Sequence, residues 1–190
     1  MNLPNKLSII RICMIPVFVA FFFLPQIPCN YLISAIIFVL AAATDFLDGY
    51  IARKYNLVTN LGKFLDPIAD KVLVSTALIV LITLPSVLNA YYAIAISIIL
   101  ARELIVSGFR TVAASRGLVL AADKVGKVKT FFQDAAIAVL LVAGENFFPN
   151  ATYCPLAITG QVLLIIATLL TIISGINYIV KNKHVLKEEK

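Results

Sequence analysis

Apolar residues fall into six runs along the chain, at roughly 7–24, 31–52, 64–84, 88–108, 130–147 and 156–180. At ~1.5 Å of rise per residue, each is long enough as a helix to cross ~30 Å of hydrocarbon. Short polar or proline-containing links separate most of them, at 25–30, 85–89 and 149–155. The link at 107–129 is longer and carries Arg110, Arg116, Asp123, Lys124, Lys127 and Lys129. The pattern predicts an all-α integral membrane protein, a six-transmembrane-helix bundle forming a single domain over 1–190, without internal repeats or low-complexity tracts. No small-residue cleavage site follows the first run, so it reads as a retained helix. Residues 2–12 mix Leu3, Leu7, Ile9 and Ile10 with Lys6 and Arg11. That mixture suits a juxtamembrane surface helix covering the inner rim, or equally a plain entry into the first span.

Composition agrees: 61% of residues are hydrophobic and 14% charged, against about 45–50% and 25% in soluble domains. The net charge of +6 takes its meaning from its placement. With the N-terminus inside, one face owns the chain start, the 53–63 and 107–129 links and the tail. All 16 Lys and Arg residues then lie on or near that face, with none in the three outer links. The positive-inside rule therefore puts both termini in the cytoplasm. It also makes the basic excess topological, so the partner is anionic lipid or phosphate and not nucleic acid. Cys13, Cys29 and Cys154 match no metal-ligand spacing. Cys13 reads as a small buried hydrophobe, while Cys29 and Cys154 fall in outer links, as unpaired residues or as a pair.

One stretch breaks the apolar texture. Residues 45–71 hold four aspartates, two glycines and four basic residues. Asp45 and Asp48 are three apart near the inner end of the second span. Together with Gly49 and Ala52 they share a helical face, which the two small residues leave open. Asp66 and Asp70 are four apart on the third span and again share a face. Antiparallel neighbours joined by a short link can aim all four carboxylates into one volume, where they repel unless protons or cations compensate. Hard divalent cations are the simplest compensation, because they take oxygen ligands and bridge to phosphate. The plainer alternative has these aspartates capping helices or pairing with Arg53, Lys54, Lys63 and Lys71; the doubled spacing argues against it. Asn60 is placed to cap the third span, Pro67 falls close to that helix's start, and Gly62 allows close approach of a ligand or the facing helix.

Asp45-x2-Asp48-Gly49-x2-Ala52-Arg53-x8-Gly62-x3-Asp66-x3-Asp70 resembles, at all eight positions, the signature of the CDP-alcohol phosphatidyltransferase family. The resemblance implies transfer of a phosphatidyl group from a CDP-linked lipid to an alcohol with release of CMP. It implies two divalent cations, Mg²⁺ or Mn²⁺, held by Asp45, Asp48, Asp66 and Asp70, with Asp70 also the catalytic base. Gly49, Ala52, Arg53 and Gly62 are then the binding residues for CDP-diacylglycerol. The opening from Asn2 to Arg11, the stretch Ala101–Arg110 and the stretch Ala121–Thr130 are similar to family members whose acceptor is sn-glycerol 3-phosphate. Ser8 and Phe109 are mild departures from the more familiar Thr and Leu. The same resemblance implies a homodimer among membrane phospholipids in a bacterial cytoplasmic (inner) membrane, with the active site on the cytoplasmic side.

A phosphomonoester acceptor needs a cationic pocket, and Arg102, Arg110, Lys127 and Lys129 are the candidates near the inner ends of spans four and five. Arg suits a bidentate phosphate grip and Lys a point charge. Arg102 sits in an apolar helix, where an ionised side chain faces the bundle or a polar cavity; the bland alternative is snorkelling to the rim. Glu103, about 100° round the helix from Arg102, reads as the partner of a cation from another span. Asp134, one turn into span five, either orients a cation or joins an interhelical contact. The rival class is a small transporter, which would spread its charges towards the bilayer midplane. Within the transferases the rival acceptors are phosphatidylglycerol, inositol phosphate and serine.

Overall fold

Each apolar run carries a helix, and the helices outrun the runs at their polar ends. A computed structural model describes residues 3–54, 60–84, 90–115, 118, 124–144 and 155–182, with side chains over the same residues except 3, 4, 45–54, 60, 61, 63, 64 and 124. The elements are α1 (Leu3–Phe22), α2 (Asn30–Lys54), α3 (Asn60–Leu81), α4 (Ala90–Ser115), α5 (Lys124–Ala143) and α6 (Pro155–Lys181), with no strand among the described residues. The long 107–129 link is thereby mostly helix, shared between α4 and α5. Polar residues continue a helix past its apolar stretch because propagation needs only backbone hydrogen bonds, and their side chains remain wet.

That extension corrects one expectation. Because α3 begins at Asn60, Pro67 lies two turns inside the helix and not at its start. Its ring removes the hydrogen bond that would reach the carbonyl of residue 63. Cys13, expected to be buried, is exposed on α1, because it falls on the face opposite Ile15, Phe18 and Phe22. Cys29 takes the left-handed conformation at φ 60°, where the chain turns into α2 and its carbonyl accepts from Ile33 N at 2.9 Å. Cys154 lies outside the described residues.

Neighbouring helices alternate in direction. α1 and α2 are antiparallel, with Asn30 Nδ2 donating to the Phe22 carbonyl at 2.9 Å and Phe18 meeting Phe38 at 6.3 Å between ring centroids. Along α5 and α6 the order reverses likewise: a Cβ on Gly160 would come within 2.7 Å of the Leu140 side chain and 3.3 Å of its backbone nitrogen, so this glycine sets the separation of the two helices. α4 and α6 run in the same direction, since Arg102 meets Ser174 and Arg110 meets Tyr178. Phe18, Phe38, Leu78, Ile96, Ile137 and Leu140 form the common core.

The outer surface is as apolar as the interior. Leu104 is 71% exposed and Phe131 70%, with Ile36, Leu40, Ile79 and Ile176 also exposed. Apolar exposure spread over every helix is what a lipid environment covers. Among the described residues, three stretches are long and apolar enough to cross a membrane, Asn5–Phe22, Ala90–Ser115 and Pro155–Lys181. α2 is apolar over Asn30–Thr44, ahead of its aspartates, while α3 and α5 carry Asp66, Asp70, Lys71, Lys127, Lys129 and Asp134. The chain is a helical membrane protein.

Candidate active site

The alternation of helix directions has a chemical consequence. The beginnings of α1, α3 and α5 and the far ends of α2, α4 and α6 meet at one end of the bundle, and the ionisable side chains meet there too. α1 brings Ser8 and Arg11, both fully buried. Ser8 Oγ donates a short hydrogen bond to Asp66 Oδ1, and Arg11 Nε reaches Thr44 Oγ1 at 3.4 Å. Thr44 in turn donates to the Ala41 carbonyl at 2.6 Å, so the residue before Asp45 is tied to its own helix and to α1. Arg11, part of the mixed 2–12 segment, is packed inside the bundle.

α2 is unbroken through Lys54, and helical periodicity keeps Asp45, Asp48, Gly49 and Ala52 on one face. The side chains of Asp45, Asp48, Ala52 and Arg53, with Gly49, lie outside the described residues. On α3, Gly62 is buried one turn before Asp66, and Asp70 lies one turn after it. Asp70 lines a cavity of about 30 Å³ together with Lys71, Ser75, Glu103, Lys129 and Gln133. Carboxylate oxygens are the donors a hard divalent cation takes; among the described residues Asp66 and Asp70 represent them, and no group of three or more His, Cys, Asp or Glu side chains converges there.

Across the cavity stands an ionic cluster. Glu103 Oε1 accepts a short hydrogen bond from Lys129 Nζ and a second from Arg102 Nη1 at 3.0 Å. The sequence expectation for Glu103 is half corrected: it does hold a cation from another helix, but it also pairs with Arg102, its immediate neighbour. Both side chains are long enough to bend round the helix towards α5, overriding the angular offset of their backbones. Lys129 retains only 1% of its side-chain exposure, so its ammonium depends on this partner. Asp134, one turn further along α5, adds its negative charge to the surroundings of Lys129. Arg102 Nη2 donates to Ser174 Oγ at 2.9 Å. The stem of Arg102 crosses α6 at Gly175, where a Cβ would lie 3.1 Å from Arg102 Cγ; glycine there admits the arginine. Arg102 Nε is buried without a hydrogen-bond partner among the described residues.

Of the four cations singled out in the sequence, the fold thus joins Arg102 and Lys129 round Glu103. Arg110 makes a different contact: its Nε donates to Tyr178 Oη at 3.2 Å, and its guanidinium lies 5.4 Å from that ring's centroid, a cation–π geometry. Lys127 is exposed on α5. Sequence reasoning named Lys71 only as a counterion for the aspartates and missed Ser75, Ser174, Tyr178 and Gln133. The signal for Gln133 was available, since it is a lone amide in an apolar helix, one turn after Lys129 and on the same face.

Comparison with known proteins bears on this arrangement. The family model for CDP-alcohol phosphatidyltransferase matches residues 1–177. A protein of Bacillus subtilis (strain 168) named CDP-diacylglycerol–glycerol-3-phosphate 3-phosphatidyltransferase is 42% identical, over 98% of this chain and 97% of its own. A protein of Rickettsia bellii with the same name is 44% identical over 93% of each chain. One of Yersinia pestis, again so named, is 37% identical over 94% of this chain and 93% of its own. With the eight signature positions intact on α2 and α3, and the match running almost end to end, the chain belongs to the CDP-alcohol phosphatidyltransferase family.

Proposed function

We propose that the protein transfers the phosphatidyl group of CDP-diacylglycerol to sn-glycerol 3-phosphate, giving phosphatidylglycerophosphate and CMP. The observation that carries this reading is the pairing of Asp70 with a buried cation centre across one small cavity. A base for a hydroxyl and a cation for a phosphate line the same cavity. The names of the relatives point to the same acceptor.

In this reading Asp70 takes the proton of the acceptor's C1 hydroxyl while that oxygen attacks the β-phosphorus of CDP-diacylglycerol. The bond from that phosphorus to the CMP oxygen breaks, and its electron pair leaves with CMP. One displacement suffices, and proximity supplies much of the rate. Asp45, Asp48, Asp66 and Asp70 would hold two divalent cations, Mg²⁺ or Mn²⁺, whose chemistry is to neutralise the diphosphate and the departing phosphate. Ser8 orients Asp66 from α1. Gly49, Ala52, Arg53 and Gly62 bind the cytidine diphosphate part. Lys129 and Arg102, aligned by Glu103, bind the acceptor phosphate, with Arg110 and Lys127 drawing it in from solvent. The acyl chains stay in the bilayer beside the exposed apolar helix faces.

The same reading makes all six helices membrane spans, with both termini and the site on the cytoplasmic side of a bacterial inner membrane, and a homodimer the working assembly. The charge partition supports the orientation and the family resemblance supports the dimer. The test is CMP release by the purified protein in detergent with CDP-diacylglycerol and Mg²⁺, offering glycerol 3-phosphate, inositol phosphate, serine or phosphatidylglycerol separately. Release with glycerol 3-phosphate alone is expected. Release with another acceptor instead would overturn the assignment of the Glu103 cluster, and release with none would overturn the proposed transfer.

A further inference from the structure

Gln133 is 2% exposed, and its amide oxygen Oε1 is buried with no hydrogen-bond partner among the described residues. The residue lines the same cavity as Asp70, Ser75 and Lys129. A buried amide carbonyl left without a donor is costly, and on a side chain that lines a cavity it is a position where a ligand can supply the donor. At about 30 Å³ the cavity has room for a small polar group.

We infer that Gln133 reads the secondary hydroxyl of the acceptor, accepting its hydrogen bond at Oε1, and so determines which phosphorylated alcohol is used. The inference rests on the acceptor assignment proposed above. Its geometric basis is that Lys129 and Gln133 stand one turn apart on α5 and face Asp70 on α3. An acceptor phosphate held at Lys129 and a primary hydroxyl at Asp70 leave the middle carbon of a three-carbon chain beside α5. A site built round a buried acceptor discriminates strongly against an analogue that lacks the hydroxyl, because the oxygen is then left unpaired in the bound state.

The probe is 1,3-propanediol monophosphate, which keeps the phosphate and the primary hydroxyl and lacks only the secondary one. CMP release by the unmodified protein should favour glycerol 3-phosphate over this analogue by about 10²-fold or more in kcat/KM. In Gln133→Met, of similar volume and without the carbonyl, the ratio should fall below about tenfold, chiefly through loss of glycerol 3-phosphate turnover. A merely structural role would lower both acceptors together and leave the ratio unchanged, which would overturn the inference. So would near-equal use of the two acceptors by the unmodified protein, a result that needs no variant. Absence of release with glycerol 3-phosphate from the unmodified protein would instead remove the acceptor assignment, and this inference with it.

Discussion

At the scale of single residues, Lys129 shows how placement decides what a charge does. The sequence marks it as one of four candidate cations for an acceptor phosphate, set in a basic link. The fold gives it 1% exposure and one close carboxylate, that of Glu103. Removing one member of such a pair strands the other charge in a poorly solvated place, at a cost of about 3 kcal/mol. Glu103→Ala should therefore lower stability by about that amount, seen as an earlier thermal unfolding transition in detergent. The double variant Glu103→Leu/Lys129→Met should recover most of that stability and still turn over no glycerol 3-phosphate. An unaltered transition in Glu103→Ala would mean that water already solvates Lys129. Burial of this kind is not written in a sequence. It depends on α4 and α5 meeting, and the adjacency of Arg102 to Glu103 gave no hint that both would turn to one side.

At the scale of helices, what was legible was the apolar core of each element. Six runs predict six helices because each run exceeds the length at which backbone hydrogen bonding and apolar burial agree on a helix. Their ends were less legible, since a polar helix end and a polar link have the same composition. The early start of α3, which carries Pro67 into its interior, follows from this, as does the absorption of most of the 107–129 link into α4 and α5. Packing partners were not legible at all. Uniformly apolar faces carry no periodic signal to say which side is lipid and which is core. Small residues such as Gly160 and Gly175 mark the contacts only once the neighbours are known. The signature aspartates were legible in the strongest sense, because spacing on a helix fixes a shared face whatever the helix packs against. Asp66 and Asp70 keep that relation on α3, and unbroken α2 preserves it for Asp45 and Asp48.

For the whole molecule, the organising feature is that one end of the bundle collects the carboxylates, the buried cations and the hydroxyls that orient them. In the topology proposed above, that end faces the cytoplasm. In a background with Cys13, Cys29 and Cys154 replaced, Ser115→Cys should resist a membrane-impermeant maleimide in intact spheroplasts and react after lysis. Asn150→Cys should react before lysis. The opposite pattern would invert the topology and place the site on the far side of the bilayer from cytoplasmic glycerol 3-phosphate.

If this end performs phosphatidyl transfer with Asp70 as the base, CMP release by Asp70→Asn should collapse. The substitution keeps the volume and removes the proton acceptor. With saturating CDP-diacylglycerol, glycerol 3-phosphate and Mg²⁺, and with unchanged thermal unfolding as the control for folding, kcat should fall by about 10³-fold. A variant that keeps kcat within tenfold of the unmodified protein would contradict the account.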